Sequence, residues 1–284
     1  FLILLFTFLD VTNDFHALAL IQALALLITI LVLLSIYKKT FINYLKEPFD
    51  KPLMKKMFKF SSPLALGALF HWALVNTDKF LLSFMVSLDE LGIYAMAVSL
   101  ASGLTLFSMI FANIWHPTLY KWVSEGINAD RVFKTFEYVF LFVVTTWSMV
   151  GIFSWYLLFF LPDEYRLVEF LFIACIGMPL FYLLSETSIV GVNIQRKTLF
   201  SMFITAFSLI TNLILNYFLI PLYGASGAAI SSLISFFIFF VARTEASSFV
   251  WKSFPRKKVY LICTGYLITT ITIVLNQITL FGLP

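Results

Sequence analysis

Lys79 follows Asp78 inside an otherwise apolar run, and His71, Trp72, Asn76 and Ser83 stand close by along the same stretch. A formal charge at the centre of a bilayer costs roughly 2.5–3.5 kcal/mol, so something must offset the two charges here. At about 100° per residue, with His71 at 0°, Asp78 falls near 340°, Lys79 near 80°, Trp72 near 100°, Ser83 near 120° and Asn76 near 140°. One arc of about 160° is therefore polar and is expected to face protein or water, while Leu66, Leu69, Leu74 and Leu81 lie off it. Such a face could line a hydrated cavity, with Lys79 available to an anion and His71 or Asp78 to a proton. Two plainer readings stand beside it. Asp78 and Lys79 could neutralise each other, or Lys79 could snorkel outward along its alkyl stem.

A second stripe runs along the following segment, where Ser102, Thr105, Asn113 and His116 fall within about 240–320° of Ser99. Ser and Thr often serve packing in membrane helices, so Asn113 and His116 carry more of the functional expectation. Glu186 is a further acid in an apolar run with no basic neighbour in sequence. It suits either proton exchange or a salt bridge to another helix. Asn212 and Asn216, spaced i and i+4, share a face and are expected to bond a neighbouring helix. Cys175 and Cys263 both sit in apolar runs without a second thiol or metal-ligand spacing, and read as small core hydrophobes.

The elements that position these residues follow from composition. Apolar residues make up 61% and charged ones 12% of the 284 residues, against roughly 45–50% and about 25% in soluble domains. Charge-poor stretches such as 17–36 and 198–220 reach the roughly 20 residues a helix needs to cross the hydrocarbon core. Ten-residue alternating segments are absent, which leaves helical spans to satisfy the backbone. The expected fold class is all-α integral membrane, a polytopic helical bundle. Full spans are expected near 16–37, 60–87, 92–118, 138–161, 168–190, 198–220, 224–242 and 259–281, after a partial one at 1–9. The opening on Phe1 reads as the edge of a longer chain, and the lack of a basic region before the first apolar stretch reads against a signal peptide.

Charge sorts the connections. Lys38, Lys39, Lys46, Lys51, Lys55, Lys56 and Lys59 crowd into 37–59, and the segments 119–137, 191–198 and 243–258 hold the other basic residues of that side. Of 19 basic residues, only Arg166 falls on the opposite side and only Lys79 within a span. The Lys-rich side is therefore expected to be cytoplasmic, with the short turns around Asp10, Asp14, Asp89, Glu90, Asp163 and Glu164 facing out and Phe281–Pro284 ending there too. Segment 37–59 reads as a linker between lobes, and equally as a basic stretch lying on anionic headgroups. The net charge of +4 is spread over these connections, so nucleic acid is not an expected partner.

No GxSxG, HExxH, P-loop or paired-Cys motif occurs. The outward acids sit in turns too short to bind a second substrate, and no nucleotide-binding domain is present to drive a pump. Transport without a cofactor is expected rather than catalysis.

Two runs then carry a family resemblance. KFSSPLALGALFHWALVNTDKFLLSFMVSLDELGIYAMAVSLA (59–101) contains Pro63, the Asp78–Lys79 pair and Leu91–Gly92–Ile93–Tyr94, and NLILNYFLIPLYGASGAAISSLIS (212–235) follows an Asn/Pro/Gly/Ala pattern. Asn113–Pro117 and Gln195–Thr198 match more loosely. The chain resembles the bacterial polysaccharide and O-antigen flippases of the multidrug/oligosaccharidyl-lipid/polysaccharide exporter superfamily. That resemblance implies two helical lobes around a cavity open alternately to each side, in the bacterial inner membrane. Residues 1–37 would end the first lobe, 38–59 would be the cytoplasmic interlobe linker, 60–242 the second six-helix lobe, and 243–284 a cytoplasmic loop with an additional helix. The task implied is flipping undecaprenyl-pyrophosphate-linked oligosaccharide, coupled to H+ or Na+, in company with polysaccharide polymerase machinery. Lys79 would then meet the pyrophosphate or an acidic sugar, Trp72 would stack on a sugar ring, and Asp78 would tune Lys79 or bind a cation. From the residues themselves, and not from the resemblance, His71, Asn76, Asn113 and His116 complete the expected cavity, and His71 and Glu186 join Asp78 as expected coupling groups. A cation-coupled drug or metabolite extruder of the same superfamily is the alternative, and a membrane glycan polymerase a more distant one.

Overall fold

A computed structural model of the chain describes residues 15–46, 50–126 and 129–280. The expected partial span at 1–9, the turn at Asp10–Asp14, Pro48 and the end at Phe281–Pro284 lie outside the described residues, as does the side chain of Asp163. Every described element is helical: α1 (Phe15–Ile36), α2 (Lys38–Lys46), α3 (Lys51–Met85), α4 (Leu88–Ser124), α5 (Ala129–Phe153), α6 (Val168–Ser188), α7 (Val190–Ile194), α8 (Thr198–Val250) and α9 (Arg256–Leu280), with short 3-10 turns at Ser154–Phe159 and Asp163–Tyr165. Among the described residues, six helices are long and apolar enough to cross a membrane. The chain is an all-α, polytopic membrane protein.

The eight expected spans all fall on these helices, but several bounds move. The 53-residue α8 is broken at Gly224 (φ 52°, ψ −130°) into two legs. The legs fold back on each other, so that a Cβ on Gly227 would strike the Leu219 carbonyl. Gly224 takes the left-handed conformation that the fold-back requires. The buried run Ala225, Ser226, Gly227, Ala228 and Ala229 lets the legs approach closely. The second leg runs to Val250 rather than ending near 242, which moves Arg243 from the expected cytoplasmic loop into the helix. Helix α5 begins at Ala129, and the last turns of the expected 138–161 span are 3-10. Helix α3 begins at Lys51, so the second half of the expected linker is helical, with Asp50 Oδ1 accepting the Leu53 N–H at 3.0 Å as its cap.

By compactness the chain divides into Phe1–Met57 and Phe58–Pro284. The first unit holds α1, α2 and the start of α3. The second is organised around α6 and α8, the two most buried spans, with α4, α5, α8 and α9 packing against α6. Gly177 on α6 makes this possible: the space its side chain would fill is taken by Leu233 and by the Trp147 ring, 2.8 Å away. Cys175 and Cys263 are free and buried. Tyr266 of α9 meets the Ser148 hydroxyl of α5 through a short hydrogen bond.

Candidate functional site

The polar arc of α3 does not face a single environment. Its buried positions are Pro63, Leu74, Asp78 and Leu82, which lie on a narrow strip near 280–20° in the same frame of about 100° per residue. Asp78 joins that strip and is 1% exposed. Trp72 is 56% exposed, Ser83 is exposed, and Asn76 and Lys79 are half-buried. The expectation of one shared polar face is thus corrected. Leu74, placed off the arc, is fully buried, whereas Trp72 and Ser83 look away from the lobe interior. The physical reason is that the interior accepts whichever side has partners waiting, and among the described residues Asp78 has them while Lys79 does not.

Those partners come from three directions. Tyr94 Oη of α4 donates to Asp78 Oδ2 at 2.6 Å, Asn216 Nδ2 of the first α8 leg donates to Oδ1 at 2.6 Å, and Ser232 of the second leg donates to Oδ2. Asn212 steadies the set, donating to Ser232 Oγ at 3.2 Å and accepting from Asn216 at 2.9 Å. Asp78, Tyr94, Asn212, Asn216 and Ser232 therefore form one buried network in which a carboxylate is met by donors. Asn216 Oδ1 is buried with no hydrogen-bond partner. The side of the network is rich in oxygens: both of Asp78, the Tyr94 and Ser232 hydroxyls, and the Asn212 and Asn216 carbonyls.

Lys79 is directed elsewhere. Among the described residues no ion pair joins it to Asp78, so the neutralising pair considered from the sequence is not what forms. Asn76 spends its amide on the carbonyl of Trp72 one turn back, at 2.9 Å, and Ser83 bonds the Phe80 carbonyl. The result is a partly exposed strip of α3 with an ammonium, an indole and an amide at the depth of a membrane span.

A second centre gathers residues expected in the same cavity as Lys79. Glu186 of α6 receives Arg243 Nη1 at 2.5 Å on Oε1 and lies 3.0 Å from His116 Nε2 through Oε2. Arg243 also donates to the Ser185 hydroxyl and stacks 4.4 Å from the Phe239 ring centroid. Of the two readings of Glu186, the interhelical salt bridge is the one that forms. His116 reaches it because, near 260° on α4, it borders the buried face that carries Ala97, Ser108, Trp115 and Leu119, at about 100° per residue. Asn113, with Ser99, Ser102 and Thr105, is exposed. His71 sits among Tyr182, Phe236 and Phe239, with ring centroids 5.2 to 6.3 Å away.

His71, His116, Glu186 and Arg243 together line a cleft of about 350 Å³. It continues past Leu64, Asn193 and Ser201 into a wider one of about 640 Å³, whose wall includes Tyr120 and Arg196. The expected site residues thus divide into four sets: Lys79, Trp72 and Asn76 on a partly exposed strip of α3, Asp78 in the closed oxygen network, His71, His116 and Glu186 on the cleft, and Asn113 apart on an exposed face of α4. Sequence reading missed Arg243, by taking it for a loop residue, and Tyr94 and Ser232, whose only signal is their place inside the two quoted runs. Among the described residues no cluster of His, Cys, Asp and Glu suits a metal ion.

Residues 1–123 match the model of a family described as polysaccharide biosynthesis protein. The match takes in α1 to α3 and nearly all of α4, including Lys79, Asp78, His71 and His116, and stops short of the 212–235 run. No curated protein and no solved structure matches the chain.

Proposed function

We propose that the chain forms the second lobe, with flanking spans, of a transporter that flips undecaprenyl-pyrophosphate-linked oligosaccharide across the bacterial inner membrane by ion-coupled alternating access. The observation that carries this reading is the separation of Asp78 from Lys79. A lysine inside a membrane span that is not neutralised by the acid beside it is expensive, and an anionic passenger is a natural counter-charge. Trp72 and Asn76 beside it supply a stacking face and a hydrogen-bonding edge of the kind sugars take. The family match over 1–123 supports a place in polysaccharide biosynthesis.

In this reading Asp78 carries the coupling ion. Its network offers oxygens from three helices and a buried acceptor, Asn216 Oδ1, without a donor. A sodium ion or a proton on the carboxylate would supply what that acceptor lacks. Occupation would draw α3, α4 and the two α8 legs together, which is how ion binding could bias one open state over the other.

The test uses the complete protein in a host deleted for its own exporter. Lys79→Ala and Lys79→Arg are compared at matched protein levels for surface polysaccharide and for accumulated lipid-linked oligosaccharide. Loss of export with precursor accumulation in Lys79→Ala, restored by Lys79→Arg, is expected. Normal export by both variants would remove Lys79 from the passenger's path. Absence of precursor accumulation even in the deletion host would favour the drug or metabolite extruder.

A further inference from the structure

We infer that the described faces of α2 (residues 38–43) and of the opening turns of α3 (residues 51–59) are a binding surface for the anionic headgroups of the leaflet on the Lys-rich side, rather than parts of a connection free in water. Three observations support it. Helix α2 starts one residue after α1 ends, and helical hydrogen bonds from Tyr37 to Leu33 and from Phe41 to Tyr37, both 2.9 Å, carry the chain through the junction. Lys38 and Lys39 therefore stand directly at the end of the apolar helix Leu20–Ile36, with no free loop between. Helix α3 has 35 residues, or about 52 Å at 1.5 Å per residue, against about 30 Å of hydrocarbon. Its opening turns must lie outside the acyl region.

Both pieces are two-sided. On α2, Phe41 and Ile42 are exposed, and Phe41 lies about 160° around the helix from both Lys39 and Asn43. On α3, Lys51, Lys55, Lys59 and Lys56 fall within an arc of about 140°, and Leu53, Met57 and Met54 occupy the facing side at about 200–300°. Leu53 and Met54 are 52% and 48% exposed. Water on every side would leave these apolar groups unburied, and full insertion would bury the ammonium groups. Only the interface serves both, with apolar side chains at the acyl boundary and lysines among phosphates.

The charge balance selects the lipid. Against seven lysines the segment has two acids, Glu47 and Asp50, and Asp50 is occupied as the cap of α3. Each lysine held at an anionic surface strengthens attachment by about fivefold, so zwitterionic lipid would forgo most of the attraction. A soluble acidic partner would match the charge but not the exposed Phe41, Ile42 and Leu53.

The test places a polarity-sensitive fluorophore at Phe41→Cys or at Asn43→Cys in the full chain, with the buried Cys175 and Cys263 replaced by alanine. The protein is held in nanodiscs of phosphatidylcholine alone or mixed with phosphatidylglycerol, and quenched by nitroxide-labelled lipid or by aqueous iodide. Lipid quenching several-fold stronger at 41 than at 43, increased by phosphatidylglycerol and reduced by salt, is expected. Replacing Lys38, Lys39, Lys51, Lys55 and Lys56 with Gln should abolish the phosphatidylglycerol dependence. Equal quenching at the two positions, equal behaviour in both lipids, or shielding of position 41 from iodide without lipid quenching would each overturn the proposal, the last in favour of a protein contact.

Discussion

Asn216 Nδ2 lies 2.6 Å from Asp78 Oδ1, although 138 residues separate the two in sequence. This contact ties the first leg of α8 to α3 and leaves Asp78 no freedom to turn toward Lys79. Removing a donor from a buried carboxylate costs about 1–3 kcal/mol. Asn216→Leu is therefore expected to lower the thermal unfolding midpoint of the purified protein markedly, whereas Asn76→Leu, which loses only a bond to its own helix, should stay within about 0.5 kcal/mol of the parent. Equal losses would mean that Asp78 does not organise the lobe.

Asp78→Asn separates the structural from the coupling role. The amide keeps an acceptor for Tyr94 and Ser232 but removes the charge. Its expected outcome is a folded protein whose polysaccharide export no longer responds to the ion gradient. Radiolabelled sodium binding, or proton uptake on energisation, measured on reconstituted protein would identify which ion is lost. Unchanged ion response would take the coupling role away from Asp78.

The helices and their order are legible in the sequence because hydrophobic length and charge are local properties. The direction of a side chain in the bundle is not. Asp78 and Lys79 are adjacent and differ by only about 100° around α3, yet one is sealed and the other borders the exposed strip. What decides between them, Tyr94, Asn216 and Ser232, arrives from distant segments. Arg243 shows the same limit differently. A cation following an apolar run reads as the edge of the membrane, but with Glu186 opposite it the helix carries on to Val250 with the charge inside. His116 was reachable by reasoning because its angle borders the packed face of α4, but its partner was not.

The Glu186–Arg243 pair gives a stability prediction with a sign that distinguishes it from simple packing. Its side chains are only 5% and 14% exposed. Leaving either charge alone costs about 3–5 kcal/mol, while replacing both can approach neutrality. Arg243→Leu should thus be strongly destabilising, and Glu186→Gln combined with Arg243→Leu should recover most of the loss in chemical or thermal unfolding. Additive losses would show that Arg243 acts through its stacking on Phe239 rather than through its charge.

At the opposite end of the lobe, Glu90 joins the α3–α4 turn to the α8 fold-back. Its Oε2 accepts the Ala225 N–H at 2.7 Å, capping the second leg, and a Cβ on Gly224 would lie 2.5 Å from the same oxygen. Two separable penalties follow for Gly224→Ala: a left-handed backbone that costs about 1–2 kcal/mol for an L residue, and the collision with Glu90. Glu90→Ala alone should cost about 1 kcal/mol as a lost cap. Introduced together with Gly224→Ala, it should relieve the collision but not the backbone strain, so the double variant should be more stable than the sum of the single losses and still less stable than the parent. Thermal unfolding of the four proteins tests this as a cycle. Strict additivity would show that Glu90 swings away from Gly224 freely, and that the α3–α4 turn is not held by this contact.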